Sequence, residues 1–411
     1  MPTQKTDLNA TWEINTDNDT WTLSKGATIT TASQDGIFVG NQFTGNTVRV
    51  LGDVVTTGNL GSAINVLGDD NKLLIGAESL IDGSEVNVGV NIGGTDTVVT
   101  NNGIIKGSLS GFQADIATTL NNNGRLEGGW AVTSQLQDFT LANDGKIIGG
   151  AFGVRSEGDD AVLGNLKDGT IKADTAVAFF NGENGVLTNA GKIIGDISGG
   201  TGETSIVNEG AIKGDISLGD GEDRIDTRKG TIDGLVDGGD GADTYLVGSQ
   251  SINIVEQESG VGMDNVRSTV SFTLADNLET LTLIGKKDID ATGNSGGNSL
   301  RGNSGDNVLR GLHGEDSLDG GKGDDILIGG TSGDVFEFDL KTGNDTIKDF
   351  ADGEDLIFSD FITNQADFDD MVANHLTVKG NDLLIKYGDD TLLIKNMDEK
   401  DLDSSDFLFG I

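Results

Sequence analysis

The sequence predicts an all-β chain: a parallel β-solenoid (β-helix) continuing into a parallel β-roll, with a small C-terminal β-rich cap. Three observations predict it. Residues 293–337 repeat every nine positions without a slip, residues 51–247 repeat about every twenty, and 64 glycines stand against one proline and 5% aromatic residues. A fixed period marks stacked units that cannot bury an apolar face alone. So little aromatic bulk suits a solenoid, in which each unit touches only its neighbours.

Residues 1–50 are polar and β-branched around Trp12 and Trp21, and read as an N-terminal β cap. Residues 51–247 read as a solenoid of about 20-residue coils. Their commonest motif is Asn-x-Gly-x-Ile-x-Gly, as in Asn101-Asn-Gly-Ile-Ile-Lys-Gly and Asn143-Asp-Gly-Lys-Ile-Ile-Gly, with the central glycine recurring at 83, 103, 124, 145, 169, 191, 210 and 230. Half a coil later a Gly-x-Asp-x-apolar motif recurs. Near the end it becomes Gly221-Glu-Asp223-Arg-Ile and Gly239-Asp-Gly241-Ala-Asp243-Thr-Tyr, and one-coil spacing makes Asp223 and Asp243 stacked neighbours. Asp96 and Asp160 read as turn aspartates. Residues 248–292 read as a connecting β segment, with Gly262-Met-Asp264 as a degenerate loop.

In the nine-residue array, Gly293, Gly302, Gly311, Gly320 and Gly329 open the repeats, of which Gly-Gly-Lys-Gly-Asp-Asp-Ile-Leu-Ile from 320 is the fullest. Glycine admits positive φ and a close backbone approach, so the first half of each repeat folds as a tight loop. The second half, carrying Leu300, Leu309, Leu318, Leu327 or Phe336, is a short strand with one inward apolar side chain. Loop and strand make half a coil, so loops eighteen residues apart share an edge. That puts Asn298, Asp316 and Asp334 in one row and Asn307 and Asp325 in the other. Carboxylates and loop carbonyls are the hard oxygens that calcium requires. The expected metal residues are Gly302, Asn307, Gly311, Gly314, Asp316, Gly320, Gly321, Gly323, Asp325, Gly329 and Asp334, with Gly221, Asp223, Gly239, Gly241 and Asp243 forming a further row. Several Ca2+ ions are expected.

After residue 337 the period breaks. Phe368, Met371, Val372 and His375 fall on one face of a short helix. Two hairpins follow, around Lys379-Gly-Asn-Asp382 and Gly388-Asp-Asp390. Residues 338–411 thus read as a cap over an otherwise adhesive sheet edge.

The chain carries 67 acidic against 27 basic residues, a formal net charge of −40, which argues against nucleic-acid partners. Bound calcium is the natural neutraliser, so metal loading and folding are expected to be linked. There is no cysteine, no apolar leader-like run at the N-terminus and no transmembrane-length apolar stretch.

With these nonapeptides, which match Gly-Gly-x-Gly-x-Asp-x-U-x, and the ending Ser404-Ser-Asp-Phe-Leu-Phe-Gly-Ile411, the chain resembles the RTX (repeats-in-toxin, haemolysin-type) calcium-binding proteins secreted by type I systems. The resemblance covers residues 218–411. It implies a C-terminal signal read by an ABC exporter, export unfolded, and folding on calcium outside the cell. Asn298 and Asn307 stand where that family has aspartate, implying weak first loops, and Ser332-Gly333 depart from the pattern in the last repeat.

A catalytic domain is not evident. The only histidines are His313 and His375, and no zinc-peptidase, nucleophile-elbow or P-loop motif occurs. Arg155 with Asp159 and Asp160, Arg125 with Glu127, and Arg224 with Asp226 read as solvated charge pairs. Trp130 alone is a poor platform for a sugar. The expectation is a secreted or cell-surface, structural, adhesive or matrix protein that folds on calcium and meets extracellular polysaccharide or cell surface. The alternative is a polysaccharide-modifying lyase or epimerase built on the β-helix.

Overall fold

Alternation along each strand decides which side chains turn inward, and here the same inward positions recur coil after coil. The computed structural model describes residues 2–32, 34–58, 61–180, 184–257 and 262–409. The chain divides into two units, Met1–Asp240 and Gly241–Ile411, each a parallel β-solenoid.

In the first unit a coil contains three extended runs, for example Thr97–Asn101, Ile104–Gly107 and Ser110–Ala114. Each run pairs in parallel with its counterpart one coil on: Val98 with Thr119, Ile104 with Arg125, Ser110 with Trp130. Inward residues stack into buried columns such as Val99–Leu120–Leu141–Leu163–Leu187 and Ile105–Leu126–Ile147–Ile171–Ile193. β-Branched and leucine side chains suit this pleated, half-buried surface.

The recurrent asparagine of the motif forms a buried ladder. Asn101 Nδ2 donates to Asn122 Oδ1 at 2.8 Å, Asn122 to Asn143 at 2.7 Å, and Asn143 to Asn165, Asn165 to Asn189 and Asn189 to Asn208 at 2.8 Å each. The motif's glycine follows from close stacking: a Cβ on Gly124 would overlap the carbonyl oxygen of Gly103, and one on Gly145 that of Gly124. Gly83 does not belong to that column, contrary to the sequence reading. It pairs with Gly107, and Ser79 stands in the turn beside Gly103. The early coils are longer, so counting twenty residues back selected the wrong glycine.

The N-terminal β region, read from sequence as a cap, contributes strands that pair in parallel like those of the coils after it. Thr3 pairs with Thr22 and Thr20 with Thr47, in parallel, and Trp12 packs edge-to-face on Trp21 at 5.8 Å.

In the second unit the coil shortens to two strands and, in the nonapeptide array, to eighteen residues. Ser299–Arg301, Ser317–Asp319 and Val335–Glu337 stack in one sheet, while Val308–His313 and Ile326–Thr331 stack in the other. Leu300, Leu318 and Phe336 form one buried column, and Leu309 and Leu327 the facing one. The segment expected to connect the arrays is part of this stack, since Asn265–Ser268 and Thr280–Leu283 pair in register with Ser299–Arg301.

The helix Gln365–Asn374 is capped by the Asn364 side chain and buries Phe368 and Met371. The predicted hairpins appear as the antiparallel strands Leu376–Lys379, Asp382–Tyr387 and Asp390–Ile394. The last of these pairs with Asn344–Ile347 and so covers that sheet edge. Phe407–Leu408 adds to the other sheet beside Leu356–Phe358. Gly410 and Ile411, the end of the predicted export signal, lie outside the described residues.

The ladder makes a prediction. Asn143→Ala leaves Asn122 Nδ2 and Asn165 Oδ1 buried without each other's bridge, so urea unfolding should show a loss of about 2–4 kcal/mol. Asn123→Ala, at an exposed position one residue after a ladder member, should change stability by less than about 0.5 kcal/mol.

Candidate metal centre

Each nonapeptide turn uses its glycines in two ways. Gly314, Gly321 and Gly323 take φ of 108°, 81° and 126°, which bends the loop through a region closed to most side chains. Gly221, Gly239 and Gly241 do the same at 118°, 99° and 139°. The repeat-opening glycines do something else: a Cβ on Gly311, Gly320 or Gly329 would strike the carboxylate of Asp316, Asp325 or Asp334, and one on Gly302 the amide of Asn307. The sixth residue of each repeat therefore folds back over the first.

The two predicted rows form. Oδ1 of Asp316 accepts the backbone N–H of Asn298 at 2.7 Å, Oδ1 of Asp334 that of Asp316 at 3.0 Å, and Oδ1 of Asp355 that of Asp334 at 2.9 Å. On the other edge Asp325 Oδ1 accepts from Asn307 N–H at 2.7 Å and Asp345 Oδ1 from Asp325 N–H at 3.0 Å. Asp316, Asp325 and Asp334 are each at most 2% exposed. This arrangement engages one carboxylate oxygen and leaves the other: Asp316 Oδ2 and Asp325 Oδ2 are buried and meet no hydrogen-bond donor among the described residues. A buried carboxylate oxygen without a donor carries a full desolvation cost.

Asn307 differs. Its Oδ1 accepts from Asn303 N–H and its Nδ2 donates to the Ile289 carbonyl. Asn298 is bonded in the same way to Asn294 and Leu278. These amides are satisfied by protein alone and stand as neutral members at the head of the nonapeptide array.

Sequence reading missed Asp345 and Asp355 as row members, because insertions put them 20 and 21 residues after their predecessors; their Gly-x-Asp-x-apolar turns were the available signal. It also missed Glu256 and Glu279. Asp264 Oδ1 accepts from Asp243 N–H and Glu279 Oε2 from Asp264 N–H, both at 2.8 Å, continuing the row upstream. Carboxylate oxygens of Asp243, Glu256 and Asp264 lie within 4.8 Å of one another, all buried, and the Tyr245 hydroxyl donates to Glu256. Glu256 lies outside any repeat, so no pattern marked it. Asp223 belongs to the first unit, where its Oδ1 accepts from Thr204 N–H at 2.5 Å. Asp243 belongs to the second.

Burial raises these carboxyls from an ordinary 3.8. Asp316, Asp325, Asp334 and Asp264 are pushed up to about 6, and Asp345 and Asp223 to about 7, the backbone N–H bonds opposing the shift in each case. Acidic neighbours add to it at Asp325, Asp334 and Asp345. In the nonapeptide array the nearby ion pair is Arg301 with Asp319, on the surface. The buried rows thus present hard oxygens, partly bare and mutually repelling, which is the donor chemistry that calcium suits.

Other predicted groupings are surface pairs. Arg125 pairs with Glu127, and Arg224 and Arg228 both reach Asp226. Arg155 pairs with Glu157. Asp160, like Asp96, occupies a left-handed turn position (φ 56° and 53°), as turn aspartates do. His313 bonds the Thr331 hydroxyl, and His375 stacks on Tyr387 at 3.8 Å. Among the described residues no helix is long and apolar enough to cross a membrane.

No family model matches the chain, and no curated protein matches it. A solved structure that does match is the extracellular lipase LipA from Serratia marcescens, at 17% identity and a TM-score of 0.26. The match covers 54% of this chain and 40% of the lipase.

Two predictions follow from this geometry. Since the folded-state values lie above those of the unfolded carboxyls, the folded chain holds more protons between about pH 4 and pH 7, and stability falls as pH rises through that window. In chelator, the midpoint of thermal unfolding should therefore be higher at pH 5 than at pH 7.5; the opposite order contradicts the assignment. Separately, Ser332 sits at φ 90° where Gly314 and Gly323 occupy the same repeat position. Ser332→Gly should stabilise the fold by about 1 kcal/mol, read as a rise in the denaturation midpoint.

Proposed function

We propose that this protein is a secreted calcium-binding protein of the RTX type, with a structural, adhesive or matrix role outside the cell or at its surface. The observation that carries this reading is the pair of buried, donor-free oxygens, Asp316 Oδ2 and Asp325 Oδ2, in register-stacked glycine turns. Asp316, Asp325 and Asp334 would supply the carboxylates, and the loops opened by Gly302, Gly311, Gly320 and Gly329 the carbonyls, with Asp345 and Asp355 ending the rows. Asp223 and Asp243 are assigned to further sites of the same chemistry. Calcium bound there neutralises carboxylates that otherwise repel along each row.

Binding that requires the stacked turns is folding free energy. A chain of net charge −40 that leaves the cell through a type I ABC exporter while calcium is scarce would then fold where calcium is abundant. Such a route fits a β-roll whose stability waits on the ion. Asn298 and Asn307, satisfied by protein bonds, are assigned to nucleating the rows rather than to holding the ion.

Calcium titration followed by circular dichroism tests this. Calcium added to chelated protein should raise β signal and stability, each ion contributing about 2.7 kcal/mol at a hundredfold excess over its dissociation constant. The double variant Asp316→Asn, Asp325→Asn should lose much of that gain. Asn307→Asp should enlarge the calcium response and weaken the metal-free state. A spectrum and midpoint indifferent to calcium would defeat the reading.

A further inference from the structure

In the second unit, the sheet that carries Val308–His313 and Ile326–Thr331 begins, among the described residues, with a two-residue strand, Phe272–Thr273. A terminal strand leaves backbone groups that a further strand would have met. The Gln250 side chain takes the place of that strand in part, its Nε2 donating to the Ser271 carbonyl at 2.7 Å. Over this end of the sheet lies a cavity of about 410 Å³, within the roughly 300–1,000 Å³ of small-ligand sites.

The walls are held in place by the protein itself. Asp290 donates its N–H to the Ser271 hydroxyl, and its Oδ1 accepts the N–H of Val308, both at 3.0 Å. Two residues along the strands, Thr273 pairs with Thr292 and Thr292 with Arg310. At the spacing of adjacent strands, about 4.8 Å, these three rungs span about 10 Å. Thr273 is exposed, and Thr292 and Arg310 are half-buried. Among the described residues Arg310 makes no ion pair, and neither threonine hydroxyl makes a hydrogen bond. A half-buried guanidinium without a partner carries a desolvation cost that a ligand's acceptors would offset. Charge is balanced around it. Asp290 faces the cavity as Arg310 does, and the adjoining loops carry Lys286 and Lys287 against Asp288 and Asp306.

We propose that this cavity binds a neutral, polyhydroxylated ligand of the saccharide class, a short run of hexose rings lying across the strands from Gln250 to Arg310. A sugar hydroxyl both donates and accepts, and the lining offers both halves. The guanidinium and the two threonine hydroxyls donate, while the second oxygen of Asp290 and the amide oxygen of Gln250 accept. An anion would meet Asp290 and a cation would meet Arg310, so a full charge of either sign loses on one wall what it gains on the other. A small zwitterion could bridge those two charges but would leave the Gln250 end empty. Ile252 and Phe272 are the apolar part of the lining, too little surface for a hydrophobic ligand. Threonine side chains are stiff at χ1, so little freedom is lost on binding. None of these residues belongs to the carboxylate rows, so this site and the calcium reading stand or fall separately.

Isothermal titration calorimetry on the calcium-loaded full chain tests this, with cellotriose, maltotriose and mannotriose as probes and trigalacturonate and diglycine as controls. At least one neutral trisaccharide should bind, its affinity changing less than about twofold between low and high salt. Both controls should bind at least about tenfold more weakly. Arg310→Gln and Thr292→Val should each lower the trisaccharide affinity about tenfold or more. Valine matches threonine in shape and favours strands, so Thr292→Val removes a hydroxyl and keeps the fold, which an unchanged β spectrum verifies. Arg301→Gln, on the opposite sheet, should bind as the unaltered chain does. Binding of none of the three trisaccharides, a control that binds as tightly as they do, or binding undiminished in Thr292→Val overturns the proposal.

Discussion

A carboxylate that must accept the backbone N–H of the preceding coil is the constraint on which the second unit depends. Asp316, Asp334 and Asp355 along one edge, and Asp325 and Asp345 along the other, each hold the next coil in register through Oδ1. The bond is charge-assisted and strong, but it repeats, so acids stack at the coil spacing of about 4.8 Å. At an effective dielectric near 20, two full charges that far apart repel by a few kcal/mol. The same feature that sets the register therefore charges the stack against itself. Three remedies exist: a proton, whose signature is the upward displacement of these carboxyls, an amide in place of the acid, or a cation in the space beside Oδ2.

The first unit takes the amide remedy along its asparagine ladder, with Asp223 near its end as an exception. Asparagine carries donor and acceptor on one head group, so Asn101 to Asn208 can bond to one another directly and remain neutral. A carboxylate only accepts, which is why the rows of the second unit borrow backbone N–H groups instead. Asn298 and Asn307 sit where the two solutions meet: each bonds like a row member, offers its N–H to the first aspartate, and closes its own amide on protein carbonyls. Their departure from the repeat pattern is thus part of the stacking, not a lapse in it.

Periodicity made most of this visible in sequence. Leu300, Leu309, Leu318, Leu327 and Phe336 were assigned inward from a nine-residue count, and rows eighteen apart were assigned from the same count. What escaped lay where the count fails. Gly83 was misassigned because the early coils are longer. Asp345 and Asp355 were passed over because insertions of two or three residues precede them, although backbone pairing absorbs such insertions in the loops. Glu256 and Glu279 could not be read at all, since a longer side chain from an irregular segment reaches the row without repeating anything. The ring cluster around Arg155 was hidden for another reason: Trp130, Phe152 and Phe180 are 22 and 28 residues apart in sequence, and their rings come to 6.2 and 5.5 Å in the folded chain.

Coil length explains why candidate ion positions concentrate in the second unit. A coil of three runs turns gently enough for single left-handed residues to make its corners, and Asp70, Asp96, Asp138, Asp160 and Asn184 do so in the first unit at φ between 53° and 64°. Asp70, Asp96 and Asp160 are exposed or half-exposed there and meet water, so their charge costs little. An eighteen-residue coil has only two strands, and its chain must reverse at both ends within a few residues. Glycine at two or three positions per loop permits that reversal, and the missing side chains leave a gap over which the sixth residue folds. Packing then buries the aspartate, and burial makes its second oxygen a problem that water cannot solve. Shortening the coil thus converts a turn-forming aspartate into an ion ligand without changing the residue type, which is why Gly-x-Asp-x-apolar turns occur in both units while buried, donor-free oxygens arise where the loops are tightest.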